Sequence, residues 1–179
     1  MTAGRVYTLQ REQLVPLSPG DAFEFFTDAS NLELITPPWL GFEVVTPGPI
    51  AMRAGALIEY RLRLHRLPIR WLTRIETWQP GRRFEDLQLR GPYRFWHHTH
   101  IFEPHDAGTS MRDVVRYALP LGALGRLARA AVVRRDLDRI FDFRREAVAA
   151  RLGNGGDWTP PPPHARRLPS LRSSECGPS

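Results

Sequence analysis

The chain has 179 residues, 42% of them hydrophobic and 25% charged, which is a globular composition at the size of one ordinary domain. All 25 basic residues are arginine; against 19 acidic residues they leave a formal net charge of +6, spread thinly along the chain, which weighs against a dedicated nucleic-acid surface. No apolar run approaches the ~18 residues of a membrane span, Met1 to Tyr7 lacks the apolar stretch of a signal peptide, and a lone Cys176 excludes an intrachain disulfide framework or a cysteine-built zinc site, so the expected location is the cytoplasm.

Arg5 to Leu14 reads as a first strand. Ser18-Pro19-Gly20-Asp21 then starts a helix, with Ser18 as N-cap and Pro19 at the first helical position. Ala22, Phe23, Phe25 and Phe26 give that helix an apolar face. A second short helix, Ser30 to Ile35, stops at Thr36-Pro37-Pro38.

From there the period changes to two, after a short strand over Phe42 to Thr46. Ala56, Ile58, Tyr60, Leu62 and Leu64 alternate with Glu59, Arg61, Arg63 and His65, the pattern of a half-buried strand. Leu67-Pro68 is expected to break it. Ile69, Trp71, Thr73, Ile75 and Thr77 then alternate with Arg70, Leu72, Arg74, Glu76 and Trp78. Pro80-Gly81 and Gly91-Pro92 turn the chain around a strand at Phe84 to Leu89. Tyr93 to Phe102 and Met111 to Leu119 complete about seven strands at hairpin spacing, which predicts an antiparallel sheet.

Between Leu121 and Leu152 the period returns to 3.6, with Ala130, Val133, Leu137, Ile140, Phe141, Val148 and Leu152 on one stripe. A helix of about 48 Å, at roughly 1.5 Å per residue, needs a broad curved sheet to lie against. Gly153-Asn154-Gly155-Gly156 stops it, and the Pro/Ser/Arg-rich remainder predicts a division into a folded domain at 1–152 and a disordered tail at 153–179.

One strand, two short helices, a run of strands and a long last helix resemble the helix-grip fold, of class α+β, found in the START and Bet v 1-like superfamily. Within it the chain resembles the SRPBCC family, in a bacterial ligand-binding branch related to polyketide cyclases and dehydrases. The resemblance is carried by Leu34-Ile35-Thr36-Pro37-Pro38-Trp39-Leu40, Ile58-Glu59-Tyr60-Arg61-Leu62, Phe84-Glu85-Asp86-Leu87-Gln88, Gly91 to Phe102, Gly108 to Asp113, and Tyr117 to Gly122. It spans residues 5–152. It implies a pocket between sheet and long helix for an apolar or amphipathic small molecule, with Pro37 to Gly41 and Pro47-Gly48-Pro49 at its mouth. Small Ala128, Ala130 and Ala131 on the helix would leave room for it.

The most unusual segment is Trp96-His97-His98-Thr99-His100, in which His98 and His100 share one face of a strand. If the hairpins close at Arg90 to Tyr93 and at Pro104 to Gly108, that face also holds Asp86, Gln88, Trp96 and Phe102. The next strand brings Met111, Asp113, Val115 and Tyr117 opposite, with Asp113 near His100. Three uses of this patch compete. It can be a polar floor that hydrogen-bonds a ligand, a set of buried groups satisfying one another, or a metal site using His98, His100 and Asp113. Nothing else in the sequence demands a metal, and neither metal nor cofactor is expected.

The cavity residues expected from the sequence are Trp39, Phe42, Tyr60, Trp71, Phe84, Asp86, Gln88, Trp96, His98, His100, Asp113 and Tyr117. The leading functional expectation is binding of a hydrophobic or amphipathic small molecule for carriage, sequestration or presentation. The alternative is a cyclase or dehydratase in which His98, His100 and Asp113 move protons beside a carbonyl polarised by Tyr60, Tyr93 or Tyr117. A third class is an Arg-rich surface acting on nucleic acid or an anionic membrane, whose binding would collapse with salt. No G-x-S-x-G elbow or Walker loop is present.

Overall fold

Alternating apolar and polar residues build one open sheet, five of whose strands are joined in succession by two- to four-residue turns. In the computed structural model, which describes residues 5–120 and 123–153 and the side chains of 5–120 and 131–153, the chain runs β1 (Val6–Val15), α1 (Pro19–Thr27), α2 (Ala29–Leu34), a single 3₁₀ turn (Pro38–Leu40), β2 (Glu43–Val44), β3 (Leu57–Leu64), β4 (Leu67–Gln79), β5 (Arg83–Arg90), β6 (Phe95–His105), β7 (Gly108–Ala118) and α3 (Ala123–Leu152). Seven strands lie in the order β1-β7-β6-β5-β4-β3-β2, each antiparallel to its neighbours. This is the helix-grip architecture: a curved sheet, two short helices after the first strand and a long C-terminal helix. No helix among the described residues is long and apolar enough to cross a membrane. The expected tail, apart from Gly153 at the helix end, and the side chains of the spacing residues Ala128 and Ala130 lie outside what is described.

The short helices start as their caps dictate. The Asp21 N–H donates to Ser18 Oγ at 3.2 Å, and the Ser30 N–H donates to Asp28 Oδ1 at 2.9 Å. Asp28 is a second N-cap that the sequence reading passed over.

Two features of β4 depart from expectation. The chain reverses at His65-Arg66, whose φ angles of 50° and 68° make a two-residue turn, so that Leu67 pairs with Leu64 and Pro68 with Arg63. The alternation of ladder positions leaves Pro68 at a pair that exchanges no hydrogen bonds, so its missing N–H costs nothing and the strand continues through it. Further on, the pairing with β5 slips between Ile75 and Thr77. This bulge flips the strand's alternation. Trp78 therefore turns inward against Phe23, and Thr77 turns outward to donate to Glu85 Oε2 at 2.6 Å.

The core falls into three clusters. Phe23, Phe25 and Phe26 of α1 pack with Phe84, Phe102, Met111 and Val148. Leu137 and Phe141 of α3 pack with Leu9, Trp96, Val115 and Tyr117. Ile58, Tyr60 and Ile75 form the third, towards β2. Arg11 on β1 ties the sheet to α3 through Asp138.

Gly108 closes the β6–β7 hairpin beside the end of β1. Its φ is +130°, and a Cβ there would sit 2.3 Å from the Val15 carbonyl oxygen and 2.8 Å from Pro16 Cα. Both obstacles are backbone, so Gly108→Ala is expected to cost about 2–4 kcal/mol, read as a lowered urea midpoint. A loss below about 0.5 kcal/mol would mean that β1 is not held against this turn.

Candidate functional site

The three clusters do not meet completely. Between the concave face of the sheet, the α2–3₁₀ segment and α3 they leave a cavity of about 170 Å³. Its apolar wall comes from Phe26 of α1 and Ile35 just after α2, Ile58 and Leu62 of β3, and Leu137, Ile140 and Phe141 of α3. Trp71, Tyr93 and Trp96 form an aromatic corner, with Trp71 and Trp96 edge-to-face at 5.2 Å between centroids.

Besides Thr36, Thr73 on β4 and the corner aromatics, polar groups enter this cavity from four elements: Tyr60 on β3, Asp86 on β5, His98 and His100 on β6, and Arg144 on α3. Register explains the grouping on the sheet, because Asp86 lies opposite His98, and His100 opposite Asp113 of β7. The two imidazoles lie against each other with centroids 3.9 Å apart, and Phe84 stacks on His100 at 4.0 Å. Asp113, itself 5% exposed, sits behind them, outside the cavity lining. Its Oδ1 is 2.9 Å from His98 Nε2 in a hydrogen bond. His100 Nδ1 lies 2.8 Å from the same oxygen, but off the line on which its N–H would point, so this contact is electrostatic.

Asp86 closes the group from the cavity side. Its Oδ2 stands 3.7 Å from His98 Nδ1 and 3.5 Å from His100 Nε2. Arg144 reaches in from α3 with its guanidinium 5.4 Å from the Phe141 ring centre and its buried Nε without a hydrogen-bond partner.

Burial and charge separate the two histidines. Burial holds His98 below the ordinary imidazole value, reinforced by the charge of His100 and only partly countered by Asp113 and Asp86. Burial opposes charge on His100 as well, but Asp113 and Asp86 outweigh it and raise that imidazole. Asp113 is pushed up by burial and pulled down further by both histidines, which keeps it ionised well below the usual carboxylate range. Burial, then the charge of Asp86, raises the Tyr60 phenol far above its usual value despite Arg144.

Near pH 6.5 the folded pair therefore favours one proton, on His100, whereas two unfolded histidines go from two protons to none through about that pH. His98 loses stability as pH falls below that value, since the unfolded chain takes a proton the native site resists. His100 loses it as pH rises through its raised pKa. The stability difference between the wild type and His98→Gln/His100→Gln is therefore expected to peak near pH 6.5 and fall on both sides. A monotonic difference in urea titrations would contradict the split. The charged and titratable groups facing the pair are Asp86, Asp113, Arg144 and Tyr60.

Of the residues named from the sequence, Phe42, Tyr60, Trp71, Phe84, Asp86, Trp96, His98 and His100 line this cavity together. Four do not. Trp39 is 52% exposed and packs on Phe143 beneath Arg139. The 3₁₀ turn holding it aims Leu40 inward instead. Gln88 folds over the next turn, its Nε2 donating to the Tyr93 carbonyl at 2.8 Å. Tyr117 stacks on Tyr7 beside a second hollow between β1 and α3. Asp113 lies one layer behind. Arg144, Phe141, Leu137 and Thr73 were not anticipated at the cavity.

The sequence from residue 15 to 143 matches the family described as polyketide cyclase / dehydrase and lipid transport. No curated protein matches the sequence at a significant level. Among solved structures, a protein from Chromobacterium violaceum superposes with a TM-score of 0.64 at 13% identity, covering 82% of this chain and 97% of its own. The Zhui aromatase/cyclase from Streptomyces sp. R1128 gives 0.58 at 16% identity, covering 85% and 99%. Ara h 8.0201 gives 0.57 at 16% identity, covering 82% and 99%. At these identities the likeness is one of fold.

Proposed function

The chain belongs to the polyketide cyclase / dehydrase and lipid transport family, and from this premise we propose that it binds a largely apolar small molecule whose polar group meets Tyr60, Asp86, His98, His100 and Arg144. Family and fold are consistent with binding of a hydrophobic ligand or with cyclase chemistry. The observation that carries the reading is the segregation of one cavity, apolar over most of its wall and polar where β5 and β6 meet α3. At about 170 Å³ the space is below the roughly 300–1,000 Å³ that encloses drug-sized compounds. That size supports a one- or two-ring compound over a long-chain lipid.

Native mass spectrometry of freshly purified protein, with solvent extraction of what it carries, tests the reading. A discrete added mass, diminished in Trp96→Ala, is the expected result. Titration with aromatic ketones should also alter the emission of Trp71 and Trp96, which line the cavity. A bare polypeptide mass together with unchanged emission across such a panel would end the proposal.

A second reading is supported by His98 and His100 lying against each other on the cavity wall, centroids 3.9 Å apart, with burial holding the first imidazole down and the two aspartates outweighing burial to raise the second. Such a pair suits proton abstraction next to a carbonyl, as in aldol-type cyclisation. Hydrogen–deuterium exchange at the α-carbon of a bound aryl methyl ketone, followed by NMR, should be lost in His98→Gln while binding persists. Equal exchange in the variant would leave the protein a binder.

A further inference from the structure

We propose that Asp86, His98 and His100 form a binding site for a divalent transition-metal ion, with Asp113 as the outer carboxylate that orients His98 and lies against His100. The site does not depend on the organic-ligand reading, since the metal can be added to protein carrying no other molecule.

The first argument is distance. Asp86 Oδ2 is 3.7 Å from His98 Nδ1 and 3.5 Å from His100 Nε2, and hydrogen-bonds neither. Donor atoms bound at about 2.0–2.1 Å to one tetrahedral ion stand about 3.3–3.4 Å from each other. The spacing is thus long for hydrogen bonds and close to the edges of a coordination tetrahedron. One donor atom from each of the three residues lies within 4.8 Å of the other two.

The second argument is the proton on His98. Asp113 is an ionised acceptor, so the hydrogen bond at Nε2 places the imidazole proton there and leaves the Nδ1 lone pair directed towards the cavity. What faces that lone pair is the carboxylate of Asp86. Two acceptors turned towards each other in a buried site call for a cation or a proton between them.

The third is the outer shell. Metal-bound histidines commonly give their other ring nitrogen to a carboxylate, which fixes tautomer and orientation. Here His98 Nε2 gives its proton to Asp113 Oδ1 at 2.9 Å, and His100 Nδ1 lies 2.8 Å from the same oxygen in electrostatic contact. The four residues sit on three adjacent strands and are therefore held rigidly. Two imidazoles and one carboxylate select zinc or ferrous iron over magnesium or calcium. Asp86, His98 and His100 all border the cavity, so further coordination positions would open into it.

The experiment uses the full chain, stripped with a chelator and dialysed. Cobalt(II) is titrated while the visible d–d absorption is followed, and zinc is measured by competition with a chromophoric chelator. One equivalent of each metal should bind, with release of protons. Asp86→Asn and His98→Gln should abolish the cobalt spectrum, and Asp113→Asn should weaken zinc binding roughly 10–100-fold. Should a variant fail to fold, long-range ¹H–¹⁵N NMR of the wild type decides: zinc must shift the rings of His98 and His100 and leave those of His65, His97, His105 and His164 in place. Absence of uptake at millimolar cobalt and zinc, or uptake that leaves the His98 and His100 rings unmoved, overturns the proposal.

Discussion

Asp113→Ala is expected to cost about 3–5 kcal/mol of stability, the loss typical of breaking a buried ionic contact from one side. Its carboxylate is buried, and both nearest partners are buried imidazoles held by the one oxygen. Removal leaves the Nε2–H of His98 without an acceptor and deprives His100 of the closer of its two counter-charges. Neither histidine can move to water, because Phe84 covers one ring and Phe141 packs edge-on to the other at 5.7 Å. For a chain of this length the melting temperature should fall by roughly 6–20 °C. Asp113→Asn, which keeps one acceptor but no charge, should lie between. A loss under about 1 kcal/mol for the alanine variant would show that the imidazoles are content without it, and that Asp113 does not organise the site.

Phe141→Ala is the second large effect, again about 3–5 kcal/mol. Phe141 is 6% exposed, joins the cluster around Trp96 and Val115, and also walls the cavity. Truncation merges the space of its ring with the existing void instead of leaving an isolated hole. It also removes the ring beneath the Arg144 guanidinium. Because the new space is apolar, benzene or indole should restore part of the loss, about 2.7 kcal/mol at one hundred times the dissociation constant. Calorimetric scans of the variant with and without indole test both halves of the prediction. A loss without rescue would mean that α3 settles onto the sheet and that the cavity is not a fixed feature of the fold.

Much of this was legible in the sequence. The alternation at 56–64 and 93–119 and the turn residues between strands gave the ladder, and with it the shared face of Asp86, His98 and His100 and the place of Asp113 opposite His100. Two kinds of residue were not. Trp78 and Thr77 exchange sides because of a bulge, and nothing in Ile75-Glu76-Thr77 marks where the extra residue will be absorbed. Arg144 is different, because its signal was present. Leu137, Phe141 and Val148 are spaced so that position 144 falls on the same buried stripe, and the stripe named from the sequence left that position out. An arginine at the inward-facing step of an amphipathic helix indicates a cavity behind it, since a packed core would have no place for the guanidinium. Trp39 erred the other way: the 3₁₀ turn decides which of two adjacent apolar residues goes in, and it chose Leu40.

The strand order also sets a sequence of events. Each of β3 to β7 finds its partner one turn away, so these strands can zip by short loop closures. β1 pairs with β7, placing Val15 opposite Thr109 near the far end of the sheet-forming chain. β1 leaves the ribosome before the six strands that follow it yet is the last of the seven to gain a partner, and until then β7 presents an open row of backbone donors and acceptors. Chains shortened to begin after Val15 would keep that edge bare permanently, and should self-associate through β7 rather than merely unfold.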